Sequence, residues 1–340
     1  MSHSFPFFLG DGQPRPDVSE QLPLPAVTPL HKPENYLPDD GLRDACNVAL
    51  LLGQPLLLTG EPGTGKTRFA YNLALELGLE PPLSFQVKST STAQSLFYTY
   101  DTLQRFHDIQ SGAKPETIQP GRYLSIQALG RAILDSLPAG KIPAELADLP
   151  HSSSSRRAVV LIDELDKAPR DFPNDLLNEL ENLSFSIPEL GDVQVKAEAN
   201  RRPVVVITSN SEKDLPDPFL RRCVYYNIPF PGPAKLQQIV SRQLHQWPCD
   251  SASMAEAIEL FYRLRDPRSG LRKPPATAEL LGWLVVLPHL LGDPQVFCKA
   301  TGLRGKPELL QRSLSSLIKT KDDQASAEQV LLRWSEEAKP

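Results

Sequence analysis

The stretch Pro55-Leu-Leu-Leu-Thr-Gly-Glu-Pro-Gly-Thr-Gly-Lys-Thr67 decides the fold of this 340-residue chain. Its second part, Gly60 to Thr67, matches the pattern G-x-x-x-x-G-K-[ST]. The apolar run before it is typical of a buried parallel strand, and the apolar residues after it, from Phe69 to Leu77, recur at helical spacing. A strand, a glycine-rich loop and a helix in this order predict a loop whose backbone N–H groups surround phosphate oxygens.

This loop and the residue after it supply most of the candidate nucleotide-binding residues. Lys66 is expected to reach the β- and γ-phosphates, and the hydroxyl of Thr67 is expected to ligate Mg²⁺. The candidates are Gly60, Glu61, Pro62, Gly63, Thr64, Gly65, Lys66, Thr67 and Arg68.

An acidic pair follows the apolar run from Ala158 to Ile162. A hydrophobic strand that ends in Asp163 and Glu164 places both carboxylates at the carboxyl edge of a parallel sheet, beside the phosphate loop. Asp163 is expected to hold Mg²⁺, and Glu164 to act as general base on the attacking water. Solvated acids at a strand end would explain the pair alone, but its combination with the phosphate loop favours hydrolysis.

Two further positions separate the classes of nucleotide hydrolase. Asn210 follows the strand Pro203–Thr208, where its amide can position the water or contact the γ-phosphate. Arg221 and Arg222 precede the last predicted strand, where an arginine can stabilise charge in the transition state. The alternative is that both are exposed basic residues on a turn. The chain has no N-K-x-D motif, which counts against a Ras-like GTPase.

The remaining patterns predict the domain organisation. Residues 1–35 are rich in proline and predict an extended arm, either flexible or docked on the body. Residues 36–231 alternate strands with helices, which predicts an α/β fold: a parallel five-stranded sheet wrapped by helices in an αβα core. The strand signals then stop, so residues 232–340 are expected to form a smaller, all-helical lid domain.

Two segments of the core lie outside the alternation of parallel strands and helices. Residues 89–156 contain helical pieces around Gln94–Phe106 and Ser125–Leu137, separated by Gly- and Pro-containing turns. Residues 185–197 alternate apolar and polar side chains on both sides of Gly191-Asp192, which predicts a hairpin.

Composition excludes several classes of protein. Lys and Arg total 36 against 41 for Asp and Glu, a net charge of -5, which argues against broad nucleic-acid binding. The four cysteines lie far apart without a C-x-x-C pair, so neither a disulfide framework nor a zinc cluster is expected. The longest apolar stretch, Leu280 to Leu291, has 12 residues and contains Pro288. It is too short to cross a bilayer, and the N-terminus lacks a secretory signal, so a soluble, cytoplasmic protein is expected.

The chain resembles AAA+ ATPases, and most of all the MoxR family. The matching segments are GEPGTGKT (60–67), LIDELDKAP (161–169), TSN (208–210) and LPDPFLRRC (215–223), and the resemblance covers residues 36–290. Asp163 lies 97 positions after Lys66, which leaves room for the insertion in the second helix that marks the clade containing MoxR. The hairpin at 185–197 lies where that clade carries its hairpin before sensor 1.

The resemblance implies roles for individual residues. Asn210 is implied to be sensor 1, and Arg221 or Arg222 the arginine finger that reaches a neighbouring subunit, with Arg222 favoured. The lid segment Leu271–Leu280 resembles the start of the sensor-2 helix, but relatives often have arginine where this chain has Ala278. Arg272 or Lys273 is the candidate to reach the γ-phosphate instead, or no lid cation acts.

The resemblance also implies a function. It implies binding and hydrolysis of ATP with Mg²⁺, a hexameric ring, and chaperone-like remodelling, loading or activation of a partner protein. Partners of the family often carry a von Willebrand factor A domain. Two alternatives stay open: an AAA+ motor subunit acting on nucleic acid, of the restriction or defence type, and a non-hydrolysing nucleotide switch. The acidic net charge counts against the first, and the intact hydrolytic residues count against the second.

Overall fold

The computed structural model describes residues 32–112, 118–152, 154–211, 215–244, 251–290 and 302–337, together with Phe8 and Gln13. The chain divides into two compact units. The core unit comprises Pro38–Glu61 and Gly65–Pro229. The helical unit comprises the described residues of Met1–Leu37, Pro62–Thr64 and Phe230–Pro340.

The strands found in the described residues all belong to the core unit. They are β1 Leu56–Thr59, β2 Leu83–Gln86, β3 Tyr98–Tyr100, β4 Leu124–Ile126, β5 Val159–Asp163, β6 Ser184–Ile187, β7 Val193–Lys196, β8 Val204–Thr208 and β9 Val224–Asn227. The α-helices of this unit are α1 Asp40–Leu52, α2 Lys66–Glu76, α3 Thr102–Gln110, α4 Ala128–Ser136, α5 Phe172–Asp175, α6 Leu177–Asn182 and α7 Asp217–Leu220.

The main sheet has five parallel strands in the order β2-β5-β8-β1-β9, which confirms the predicted α/β fold. The apolar side chains of β1 and β5 are almost completely buried, as expected for strands covered on both faces. In register, Leu58 of β1 lies beside Thr208 of β8, and Ile162 of β5 lies beside Ile207. The carboxyl ends of β1, β5 and β8 therefore meet at one edge of the sheet.

The segment 89–156 contributes to the core as well as to the surface. Helix α4 packs on β2 and β5 and buries Leu129 and Ile133 completely. The predicted helical piece over Gln94–Phe106 is wrong in its middle, where the short strand β3 pairs with β4 in antiparallel fashion. The Tyr-Thr-Tyr sequence of β3 consists of aromatic and β-branched residues, which favour a pleated strand over a helix.

The predicted hairpin is present as β6 and β7, with Phe185 opposite Val195. It packs against the 89–156 segment, because the rings of Phe97 and Phe185 are stacked with centroids 5.1 Å apart. The hydroxyl of Tyr98 donates a hydrogen bond to Oε2 of Glu189, at the tip of the hairpin, over 2.9 Å. The hairpin and the adjacent part of this segment are therefore one packed body.

The helical unit contains α8 Pro233–Gln243, α9 Ser251–Arg265, α10 Thr277–Leu290, α11 Pro307–Ser313 and α12 Lys321–Glu336. Its core includes two fully buried tryptophans, Trp283 and Trp334, and Nε1 of Trp283 donates to Oγ of Ser313 over 2.7 Å. None of the helices in the described ranges is long and apolar enough to cross a membrane.

The proposed N-terminal arm, residues 1–35, lies mostly outside the described residues. Its last part forms a short 3-10 turn, Pro33–Asn35, beside α8. Arg242 donates to the carbonyl of Glu34 over 2.9 Å, and the Gln243 amide donates to the carbonyl of Asn35 over 3.1 Å. These two bonds attach the end of the arm to the helical unit.

Candidate active site

The glycine-rich loop joins β1 to α2. Three of its glycines have positive φ angles, 138° at Gly60, 78° at Gly63 and 94° at Gly65. Residues with a Cβ rarely adopt these angles, so the loop needs glycine to curl in this way. Gly65 is the N-cap of α2, which places the free N–H groups of the first helical turn at the loop. A curled loop at a helix N-terminus is the arrangement that binds phosphate.

Lys66 lies inside this loop and is only 7% exposed. Its Nζ donates to the carbonyl oxygens of Gly60 over 2.7 Å and of Glu61 over 3.0 Å. Burial lowers the pKa of Lys66, while the nearby carboxylates, Asp166 first among them, act in the opposite direction. A phosphate group would offer this ammonium a charged acceptor, which is stronger than the neutral carbonyls.

Thr67 and Asp163 lie together, as a Mg²⁺ site requires. The Thr67 hydroxyl donates to Oδ1 of Asp163 over 2.9 Å, and the Thr208 hydroxyl donates to the same oxygen over 2.5 Å. Among the described residues, no three His, Cys, Asp or Glu side chains converge as a metal site. A hydroxyl and one carboxylate suit Mg²⁺, which takes few protein ligands and completes its shell with phosphates and water. These residues therefore fit a magnesium nucleotide.

Glu164, the candidate general base, has an unusual backbone. Its φ of 61° lies in the left-handed region, and its N–H donates to the Thr208 hydroxyl over 3.0 Å. Its Oε2 accepts from Nζ of Lys167 over 2.5 Å and from Nε2 of Gln86 over 2.8 Å. These two hydrogen bonds lower the pKa of Glu164, so the carboxylate is ionised at neutral pH, as a base must be.

Asn210 lies beside the turn that follows β5. Its backbone N–H donates to Oδ1 of Asp166 over 3.0 Å, and its Nδ2 donates to Oδ2 over 3.1 Å. Burial by itself would raise the pKa of Asp166, but hydrogen bonds to its carboxylate, those from Asn210 the largest among them, outweigh burial, and the pKa is lowered. Asp166 is therefore an ionised acceptor for Asn210.

The two arginines occupy the turn between α7 and β9. Nε of Arg222 donates to Oε2 of Glu181 over 3.1 Å, and its NH1 donates to the carbonyl of Pro218, also over 3.1 Å. Arg221 is exposed, and its side chain makes no hydrogen bond or ion pair within the described part of the chain. In that same part, neither arginine bonds to the phosphate loop or to the acidic pair.

The sensor-2 candidates lie in the helical unit. The Arg272 guanidinium pairs with Asp322 over 3.0 Å, so this side chain is already engaged. The backbone N–H groups of Arg272 and Lys273 donate to the buried carboxylate of Asp323 over 2.8 and 3.1 Å. Lys273 has an exposed side chain, so of the two sensor-2 candidates it is the one not engaged in the Asp322 ion pair.

Four residues at this site were not assigned from the sequence: Gln86, Asp166, Lys167 and Thr208. Thr208, Asp166 and Lys167 lie within the motifs TSN and LIDELDKAP, so their positions in those motifs were a usable signal. Gln86 ends β2 and lies opposite Asp163 in the sheet register. Gln86 reaches the acidic pair only because β2 and β5 are neighbours in the sheet, and this strand order cannot be read from local sequence patterns.

The strand order, the loop conformation and the acidic pair define a P-loop nucleotide-binding fold. Residues 55–223, just under half of the chain, match the family model of the AAA domain, dynein-related subfamily. The fold is that of an AAA+ αβα core accompanied by a helical domain, and the match supports a nucleotide-binding AAA+ ATPase. The matched region begins at β1 and ends directly after the arginine pair, so it includes the loop, Asp163, Glu164 and Asn210. A search of curated proteins returns no match to this chain.

Proposed function

We propose that the protein is a Mg²⁺-dependent, MoxR-like AAA+ ATPase that uses ATP hydrolysis to remodel, load or activate a partner protein. The observation that carries the proposal is the grouping of Lys66, the Thr67–Asp163 pair and Glu164 at one edge of the sheet. A nucleotide scaffold that does not hydrolyse would still need Thr67 and Asp163 for Mg²⁺, but it would not need the carboxylate of Glu164 to act on water.

Each residue has a separate role in this proposal. Bound MgATP supplies the γ-phosphoryl group that is transferred to water, and the metal neutralises phosphate charge. The loop amides and Lys66 hold the phosphates, and Thr67 and Asp163 hold Mg²⁺. Glu164 takes the proton from the attacking water. Asn210 is the sensor-1 residue that acts on this water.

The assembly proposed is a hexameric ring in which Arg222, or Arg221, completes the site of the neighbouring subunit. Both arginines are exposed on a turn, which supports a role toward another protein chain. The partner proposed is a protein with a von Willebrand factor A domain, on the strength of the family resemblance.

Helix α3, within the 89–156 segment, supports the partner-handling part of the proposal. Leu103, Phe106 and Ile109 recur at helical spacing on it and are 82, 58 and 51% exposed. Apolar side chains grouped on a surface commonly mark a site of protein interaction. ATP binding by the sheet edge does not require this stripe.

The direct test is phosphate release from ATP by the purified chain, measured with Mg²⁺ and after chelation with EDTA. Absence of Mg²⁺-dependent turnover would refute the proposed activity. The partner is then sought by capture on a Glu164→Gln trap loaded with ATP, with Lys66→Ala as the control that binds no nucleotide. Salt-dependent retention of duplex DNA on the trap would favour the nucleic-acid motor instead.

Lys66→Ala is expected to abolish nucleotide binding. The substitution removes a charge-assisted contact to phosphate and leaves the carbonyls of Gly60 and Glu61 without their donor. Titration calorimetry with ATP measures the loss, and Lys88→Ala, at an exposed lysine, is the matched control. Binding of ATP at wild-type affinity by Lys66→Ala would exclude the loop as the nucleotide site.

Deletion of the hairpin tip, Glu189–Asp192, is expected to spare basal ATP hydrolysis and to abolish action on the captured partner. The deletion also removes the acceptor of the buried Tyr98 hydroxyl, which costs about 1–3 kcal/mol of stability. Tyr98→Phe removes the same hydrogen bond with the hairpin intact, so it is the matched control. If the deletion unfolds the core while Tyr98→Phe stays folded, the hairpin is a structural element and not a partner-binding one.

A further inference from the structure

The turn after β5 and the loop after β8 are joined by one residue, Asp166. It belongs to the 3-10 turn Leu165–Lys167. Its carboxylate accepts two hydrogen bonds from Asn210, one from the backbone N–H over 3.0 Å and one from the side-chain Nδ2 over 3.1 Å. The Ser209 hydroxyl lies 3.4 Å from Oδ1 of the same carboxylate. Strands β5 and β8 are neighbours in the sheet, so the two segments leave it side by side.

The chemistry of the two side chains fixes the orientation of the amide. An ionised carboxylate can only accept hydrogen bonds, whereas an amide has a donating nitrogen and an accepting oxygen. Asn210 must therefore turn its nitrogen toward Asp166, and its Oδ1 is the end kept away from the carboxylate. Both residues are exposed, so their contact contributes little to stability compared with a buried pair.

We propose that Asp166 is a positioning residue for Asn210, and that it presents Oδ1 of this amide as the acceptor that holds the attacking water. The inference rests on the proposed ATPase function. Asp166 itself takes no proton, because the proton released by the water goes to Glu164. A contact in which the Asn210 nitrogen instead donates to a phosphate oxygen is the competing arrangement that the experiment must distinguish.

A reciprocal exchange of the two side chains separates these arrangements. In Asn210→Asp, two carboxylates face each other. In Asp166→Asn, the new amide has a single oxygen for the two N–H groups of Asn210. In the double variant, Asn at 166 accepts from the backbone N–H at 210 and donates to Asp at 210. The double variant thus restores the pair and again leaves an oxygen, but no nitrogen, at the end of residue 210.

The first measurement is thermal unfolding without nucleotide, which does not depend on activity. Asn210→Asp is expected to melt about 2–4 °C below the unmodified chain, and the double variant to regain most of that loss. Asp171→Asn is the control, because Asp171 lines the same groove as Asp166 and has no bond to Asn210. Additive losses in the double variant would show that the pair does not form, and would overturn the proposal.

The second measurement is ATP turnover together with nucleotide affinity. Each single variant is expected to lower kcat about 100-fold with the nucleotide Kd changed less than about 3-fold, since a misplaced water affects chemistry more than binding. The double variant is expected to recover at least about 10-fold in kcat. Recovered melting without recovered kcat would show that the nitrogen of Asn210 is the acting group, and would overturn the proposed orientation.

The two proposals fail in different ways. If the unmodified chain binds ATP and does not hydrolyse it, the proposed function is refuted, and the catalytic role of Asp166 with it. The melting cycle would then still show whether Asp166 orients Asn210. Normal turnover in the unmodified chain with unchanged kcat in Asp166→Asn would overturn the present inference alone.

Discussion

Arg222→Ala is expected to bind ATP with nearly normal affinity and to hydrolyse it about 10³–10⁵-fold more slowly. This corresponds to roughly 4–7 kcal/mol of barrier. The ground state keeps Lys66 and the Mg²⁺ ligands, whereas charge that develops on the γ-phosphoryl oxygens loses its additional cation. Phosphate release and calorimetric binding measure the two effects separately, with Arg221→Ala as the matched control.

Mixing two inactive variants tests whether the arginine acts between subunits. Rings that contain both Arg222→Ala and Lys66→Ala include interfaces where an intact arginine meets an intact phosphate loop, so some activity should return. No recovery in rings proven to contain both variants would refute the shared site. Arg222 forms an ion pair with Glu181, whereas Arg221 does not. The same mixing experiment tests which of the two arginines is the finger. If Arg221→Ala is the inactive variant and is the one rescued in mixed rings, the finger is Arg221.

Glu164→Gln is expected to retain ATP binding and to lose turnover about 10²–10⁴-fold. Glutamine has nearly the same shape, and its carbonyl oxygen can still accept from Gln86 and Lys167, so the local structure should persist. It lacks the basicity needed to remove a proton from water. Steady-state phosphate release checks the prediction, and Glu145→Gln, at an exposed turn, controls for the loss of one negative charge. Unchanged hydrolysis in Glu164→Gln would remove this residue from the mechanism.

The parts of the fold that could be predicted from sequence are those encoded by local patterns. The loop at 60–67 and the acids at 163 and 164 each come directly after an apolar strand in the chain. A short window of sequence is therefore enough to predict both. The five-stranded parallel sheet follows from repeated alternation of strands and helices, and it is confirmed. The strands β3 and β4 were missed because each has three residues, too few for a periodic pattern.

The contacts that could not be predicted join residues far apart in sequence. Asp166 and Asn210 are separated by 44 residues, and Gln86 and Glu164 by 78. Each contact depends on which strands become neighbours, and that order is set by packing of the whole core. Sequence patterns therefore indicate candidate site residues, but not the distant residues that form hydrogen bonds with them.

At Glu164, the left-handed backbone sets stability against the catalytic role proposed for its carboxylate. A residue with a Cβ at such an angle costs the native state about 1–3 kcal/mol, a noticeable part of the 5–15 kcal/mol that typically stabilises a domain. Glycine or asparagine would adopt the same angle more easily, so replacement by either relieves strain while removing the carboxylate. Laboratory evolution that rewards thermal stability alone would accordingly discard the acid at residue 164. Evolution under selection for turnover would retain it and keep the native state less stable than it could be.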